Sequence, residues 1–434
     1  MAQIRPFAAI RYARSVADRM SDLVAPPYDV LEAADKSALL QRHHNNIVKV
    51  DLPHLPAKTP GPDEVYDVAA AVMRQWLADG VLIRDPRPAL YPYAQTYESH
   101  GKTHHRRGLF ALVRLSPFGA GDVVPHEKTY PGAIKDRLKL MRATRAQLSP
   151  IFGLFHDPAN HVTSTLWKHL GKPEVSALLQ GVRNDLWSVT DAEVENQVID
   201  FFKSRSIYIA DGHHRYTTAL AYQAEAAERH GGELPPHHSA NYCLFVLISM
   251  QDDGLRILPT HRLIGGLSAF NIDRFRSLVA GKFEVAETPL RSDHVDELAD
   301  TLVGYPPHTF GLYDGRTRRL YTLALQDPDI LKPLEPDHSE AWRRLDVAIL
   351  QRYLLDEVIR PHFAGGAEPT RGYTADPHAI APQVDGEKYQ IALLLRPTPL
   401  QALEELGRHN EVMPQKSTYF YPKLATGMVI NPLE

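Results

Sequence analysis

The sequence predicts a mixed α/β (α+β) fold, and three observations predict it. A short apolar strand, Ile207–Ala210, runs through Asp211 and Gly212 into a helical stripe of Tyr216, Ala219 and Leu220 that continues through Ala226 and Ala227 to Gly231-Gly232. A continuous apolar run, Tyr242–Met250, reads as a buried strand turned by Asp252, Asp253 and Gly254. The 34 prolines call for many turns and irregular connections, which disfavours a helical bundle.

The remaining elements follow the same logic. Pro62 to Ala78 reads as a helix. Pro62 suits a first turn, and Asp63 and Glu64 complement its positive end. Val65, Val68, Ala69, Val72, Met73, Trp76 and Leu77 make its apolar stripe, and Gly80 ends it. Ala89–Tyr97 and Gly108–Leu115 read as a strand hairpin with a long polar tip around Gly101. Lys388–Arg396 and Gly427–Ile430 read as strands of a later region. A chain of 434 residues exceeds one ordinary core, so two domains are expected. Their expected spans are 1–265 and 266–434, the second an α/β domain.

Composition narrows the function classes. At 44% hydrophobic and 23% charged residues the chain is globular in type. Its net charge of −4 lacks the basic footprint of a dedicated nucleic-acid binder. One cysteine, Cys243, leaves no disulfide framework and no cysteine zinc site within the chain, and its apolar setting suits an inert core thiol. No run is long enough to span a bilayer as a helix, and the opening residues lack a signal-peptide pattern. A cytoplasmic location without membrane partners is expected. Oligomeric state is not legible.

The chemistry concentrates at Asp211-Gly212-His213-His214-Arg215, which the pattern places in the turn between strand and helix. A helix N-terminus presents unpaired N–H groups and a partial positive charge, so it favours an anion. Gly212 permits close approach of the backbone, Arg215 offers a planar fork for phosphate oxygens, and His213 and His214 add hydrogen bonds. Asp211 has the chemistry to hold Mg²⁺ bridging phosphates. A plain helix start with a solvated basic turn is the competing explanation.

A second polar run is Val124-Pro125-His126-Glu127-Lys128-Thr129, followed by Lys135-Asp136-Arg137. His126 or Glu127 has the chemistry of a general base for a substrate hydroxyl, and Lys128 that of a phosphate counter-charge. A loop before a charged helix face explains the same residues without function. Further candidates are Ala25-Pro26-Pro27-Tyr28-Asp29-Val30, Thr260-His261-Arg262 and the lysine-, hydroxyl- and aromatic-rich stretch Met413–Lys423. Each also reads as an ordinary turn or packed loop.

Taken in order, Ile4-Arg5-Pro6-Phe7, Ala25–Val30, Pro125–Thr129, Asp136-Arg137, Ile209–Tyr216, Pro259–Arg262 and Met413–Lys423 resemble a bacterial and archaeal family known mainly as domain of unknown function 1015. Some of its members are labelled as relatives of the chromosome-partitioning protein ParB. The resemblance covers nearly the whole chain. Its Gly212-His213-His214-Arg215 turn is similar to the phosphate-binding turn of the ParB/sulfiredoxin superfamily, to which free-serine kinases belong. The resemblance therefore implies a ParB/sulfiredoxin-like core with insertions in residues 1–265. The reactive cysteine of sulfiredoxin has no counterpart in this turn, and no basic helical module like that of ParB is evident.

The kinase branch implies a phosphotransferase using ATP or ADP with Mg²⁺, and a small hydroxyl-bearing substrate, L-serine or a related hydroxy amino acid. Gly212, His213, His214, Arg215, Lys128 and Arg137 would bind the nucleotide. Asp211 would place the metal and assist catalysis, and Glu127, with His126, would handle the hydroxyl proton. Two alternatives stand beside it: a non-catalytic, nucleotide-switched ParB-like binding protein, and a metal-dependent hydrolase drawing ligands from His213, His214, Asp211, His126 and Glu127.

Overall fold

In the computed structural model, residues 2–268, 270–291, 294–386 and 388–433 are described. The protein is mixed α/β and divides into two compact units. The first comprises the chain up to Pro125, Thr129–Leu255 and the last segment from Pro422. The second comprises His126–Lys128 and Arg256–Tyr421.

The first unit is built on a nine-stranded sheet. Its strands are β1 (Ile4–Arg5), β2 (Tyr91–Ser99), β3 (Lys102–Arg114), β4 (Val123–Val124), β5 (Ile151–Phe155), β6 (Val175–Leu179), β7 (Val182–Leu186), β8 (Ile207–Asp211) and β9 (Tyr242–Ser249). The order is β4-β8-β5-β9-β3-β2-β7-β6, with β1 added beside β3. Strand β9 is buried along its whole length, as its unbroken apolar run requires, and pairs parallel to β5 and antiparallel to β3.

Against this sheet lies α4 (His213–Arg229), which packs on α2 (Pro131–Thr144), which in turn packs on α1 (Asp63–Ala78). Another helix, α3 (Ala192–Phe202), contributes Val194, Val198 and Phe202 to the core that Phe155, Ile207, Tyr216 and Phe245 share. Helix α1 ends in a Schellman turn. Gly80 is left-handed at φ +69°, Val81 N–H donates to Trp76 C=O and Gly80 N–H to Leu77 C=O.

Four readings of the sequence need correction. The buried face of α1 is Tyr66, Ala69, Ala70, Met73 and Trp76, while Val68 is 62% exposed. Tyr66 and Ala70 share the buried face, which is rotated relative to the expected stripe. The hairpin has no long polar tip: β2 and β3 stay paired up to Ser99 and Lys102, because cross-strand polar pairs sustain a ladder without apolar residues. Gly427–Ile430 is buried but is not a strand, since Ile430 makes only an isolated bridge with Ile10. The strand expected at Lys388–Arg396 is shorter, Ile391–Leu394.

The second unit holds a six-stranded sheet of β10 (His261–Gly265), β11 (Phe283–Arg291), β12 (Thr309–Asp314), β13 (Arg319–Leu325), β14 (Thr370–Thr374) and β15 (Ile391–Leu394), ordered β11-β13-β12-β15-β10-β14 with every neighbouring pair antiparallel. Leu263, Leu298, Leu302, Tyr313, Leu320 and Leu394 form one of its cores. Among the described residues no helix is long and apolar enough to cross a membrane.

Candidate functional site

The strand–turn–helix of the first unit is tighter than its sequence suggests. Strand β8 ends at Asp211, and His213, His214 and Arg215 already lie in the first turn of α4, so Gly212 alone forms the connection. Gly212 takes φ +98°, a left-handed conformation that suits glycine. A Cβ built there would stand 2.9 Å from Arg215 Nε and 3.0 Å from its Cζ. The Arg215 side chain therefore folds back across the glycine. It donates from Nη1 to the Pro150 carbonyl and places Nη2 3.6 Å from Asp211 Oδ1. The cap supplies no side-chain hydrogen bond to the helix start.

Asp211 is the electrostatic centre of this turn. Lys423 Nζ donates to its Oδ2 at 2.7 Å. Burial by itself would make this carboxyl less acidic. Lys423 and Arg215, aided by the Lys423 hydrogen bond and by His213, outweigh burial and hold it well below the usual carboxylate range. An aspartate engaged by two cations is a poor resident Mg²⁺ ligand, since a divalent ion would have to displace both. The expected metal role of Asp211 does not fit this setting. Among the described residues no three His, Cys, Asp or Glu side chains gather as a metal site.

The two histidines differ. His213 is buried, and its backbone carbonyl accepts from Thr217. His214 Nε2 accepts from the Tyr130 N–H at 3.0 Å, and its ring stacks on the Tyr130 ring. Behind the turn, Asp51, Arg137 and Arg215 face one cavity of about 30 Å³, together with Ser149, Thr218 and Cys243. That volume suits about one water. Burial pushes the Cys243 thiol up to about 12, which keeps it protonated and inert.

Arg137, expected to bind nucleotide, is part of a buried ionic group. Its Nε donates to Asp136 Oδ2 at 2.8 Å, its Nη1 to the Asp51 carbonyl at 2.6 Å, and its guanidinium lies 3.9 Å over the Tyr28 ring. Asp136 in turn accepts from Tyr66 Oη at 2.7 Å. Burial raises the Asp51 pKa despite Arg137 and Arg215. The pair Asp136-Arg137 is thus not a solvated helix face. Sequence reasoning did not single out Asp51, and it reached Lys423 only as the end of a longer stretch. Nothing in the local pattern marks Asp51, whereas Lys423 ends the lysine-rich stretch Met413–Lys423.

His126, Glu127 and Lys128 fall in the second unit. His126 is buried, its Nε2 lies 3.0 Å from Thr418 Oγ1, and its carbonyl accepts from Met413 N–H. Glu127 is half-buried and Lys128 exposed. Glu127 is close enough to Arg262 to influence it: burial lowers the Arg262 pKa to about 10, while Tyr373 and Glu127 pull it back. Arg262 donates to the Thr260 and Gln415 carbonyls. The polar motifs therefore sort into two groups. Tyr28, Asp29, Asp136, Arg137, Asp211–Arg215 and Lys423 belong to the first unit, and His126–Lys128, Thr260–Arg262 and Met413–Tyr421 to the second.

The fold and turn define a two-unit mixed α/β protein with a strand–glycine–helix turn lined by an arginine and a lysine. The chain belongs to the family described as protein of unknown function (DUF1015), whose model matches residues 4–348. No curated protein matches it. Among solved structures, a free serine kinase in complex with AMP is 11% identical, with 72% of this chain and 86% of that one covered and a TM-score of 0.34. SbnI with a C-terminal truncation from Staphylococcus aureus is also 11% identical, covering 75% of this chain and 87% of that one at a TM-score of 0.37. A conserved hypothetical protein from Pyrococcus furiosus is 13% identical, covering 73% and 92% at 0.33.

Proposed function

We propose that this protein is a nucleotide-dependent phosphotransferase that acts on a small hydroxyl-bearing metabolite, with free L-serine the first acceptor to test. The observation that carries the reading is the turn itself. A left-handed Gly212 opens a seventeen-residue helix without a side-chain cap, and two cations, Arg215 and Lys423, converge on one carboxylate beside it. Helix start, guanidinium fork and ammonium are the donors that nucleotide phosphates require. Phosphates entering here would compete with Asp211 for Lys423 and Arg215.

Mg²⁺ would arrive as part of the nucleotide substrate. The substrate hydroxyl oxygen attacks the terminal phosphorus, the bond to the nucleotide's bridging oxygen breaks, and the hydroxyl proton passes to a carboxylate. Glu127 is assigned that proton by residue chemistry, with His126 second. Positioning and charge neutralisation supply most of the rate in such transfers. A cytoplasmic setting, where nucleotides and free amino acids meet, accords with this reading.

The test is incubation of purified protein with Mg²⁺, ATP or ADP and a panel of free hydroxy amino acids led by L-serine, read by mass spectrometry. Phosphorylated amino acid that vanishes with Arg215→Ala supports the reading. Retained nucleotide binding without product from any acceptor replaces it with the nucleotide-switched binding protein.

A further inference from the structure

The second unit contains a cavity of about 590 Å³, a volume typical of small-ligand sites. It lies at one end of the six-stranded sheet. The antiparallel register of β12 and β15, with Gly311 opposite Leu394, sets the entry of β12 beside the exit of β15. His308 therefore stands just before one strand and Arg396 just after the other, and both line the cavity.

Three features distinguish this cavity, whose rim carries the exposed side chains of Glu340, Arg344 and Glu405. His308 adopts φ +61°, a left-handed backbone uncommon for a side chain of this size, and its Nδ1 lies 2.7 Å from Asp346 Oδ1. A carboxylate on one imidazole nitrogen fixes the ring and leaves the other nitrogen for a ligand. Arg396 makes no hydrogen bond or ion pair among the described residues, and neither does Glu405, exposed on the helix Leu400–Arg408 that follows. Glu340 and Arg344, also in the lining, neutralise each other at 2.7 Å.

The charges choose the ligand. Three carboxylates, Glu340, Asp346 and Glu405, face two arginines, Arg344 and Arg396, so the lining does not favour a polyanion such as a nucleotide. With Glu340 paired to Arg344 and Asp346 hydrogen-bonded to His308, Arg396 and Glu405 are the charged lining groups that no described side chain engages. We propose that this cavity binds a free α-amino acid. Arg396 takes its carboxylate, Glu405 its ammonium, and His308, held by Asp346, hydrogen-bonds a polar group between them. Pro307, Pro397 and Pro399 stiffen the surrounding backbone, so little freedom is lost on binding. This site is independent of the nucleotide reading.

The experiment is isothermal titration of the full chain, without nucleotide, against a panel of free L-α-amino acids and the matching carboxylic acids that lack the amino group. Wild type should bind at least one amino acid saturably. Arg396→Ala should weaken that binding about tenfold or more, as expected for loss of a charge-assisted fork. Glu405→Gln should erase the preference for the amino acid over its deaminated counterpart. Unchanged unfolding midpoints in both variants, and unchanged amino-acid binding in Arg215→Ala, separate this site from folding and from the nucleotide turn. Absence of saturable binding by wild type at millimolar ligand would overturn the proposal, as would affinities indifferent to both substitutions.

Discussion

Lys423 and Asp211, 212 positions apart in the chain, meet at 2.7 Å, so the last segment of the protein is tied by charge to the turn that opens α4. Neither side chain is more than about a fifth exposed. Removing the ammonium leaves a largely buried carboxylate with Arg215, at 3.6 Å, as its remaining ion-pair partner. Lys423→Ala should lower unfolding free energy at neutral pH by about 1–3 kcal/mol. Adding Asp211→Asn should recover part of that loss, and a double-mutant cycle in urea measures the coupling.

The same pair sets an acid response. The folded-state pKa of Asp211 lies below its unfolded value of about 3.9, so its stabilisation is complete above that pH. It is lost as pH falls through the folded value. Lys423→Ala raises the folded value, and the acid unfolding limb should move to higher pH. An acid limb identical in variant and wild type would show that this pair does not govern it.

Gly212→Ala brings a side chain into both a left-handed backbone and the Arg215 guanidinium. The strain should cost about 1–3 kcal/mol, seen as a lower urea midpoint at unchanged slope. Because Arg215 must shift, the nucleotide affinity proposed for this turn, measured at a temperature where the variant is folded, should fall as well.

His261 gives the second unit its own pH dependence. Burial, assisted by Arg262, lowers its pKa to about 4. The neutral ring accepts from the Leu395 N–H through Nδ1, a bond the charged ring cannot accept. A depressed histidine pKa means that stability is complete above the unfolded value of about 6.5 and falls toward pH 4, by up to about 3 kcal/mol. His261→Gln should flatten the stability profile across that window while leaving the Asp211-dependent limb below it.

Much of the framework was legible because it rests on local periodicity. The β8–α4 junction, β9 and α1 all announce themselves by apolar runs or stripes. The polar half of the β2–β3 hairpin does not, because its ladder is held by backbone bonds that polar residues form equally well. Gly427–Ile430 shows the converse: apolar burial without strand pairing. Within the site, Gly212 and Arg215 were legible from the turn they share. Lys423's pairing with Asp211 was not, because only tertiary folding returns it to the turn. Asp51 was silent for the same reason, since its contact with Arg137 joins segments 86 positions apart.

Arg137 separates structural charge from ligand-binding charge. Its guanidinium is enclosed by Asp136, the Asp51 carbonyl and carboxylate, and the Tyr28 ring. Arg137→Ala strands the Asp136 and Asp51 carboxylates in a buried setting, which should cost about 3–5 kcal/mol. Lysine should rescue it poorly, because a single ammonium cannot reproduce the fork or the stacking over Tyr28. Arg215→Ala removes one carbonyl bond and a longer ion pair, so it should cost less stability while abolishing the nucleotide binding proposed for this turn. Urea unfolding of the two alanine variants beside nucleotide titration makes the comparison. If Arg137→Ala proves as stable as wild type and loses only nucleotide affinity, Arg137 is a ligand-binding group and the buried ionic cluster is not what holds α2 in place.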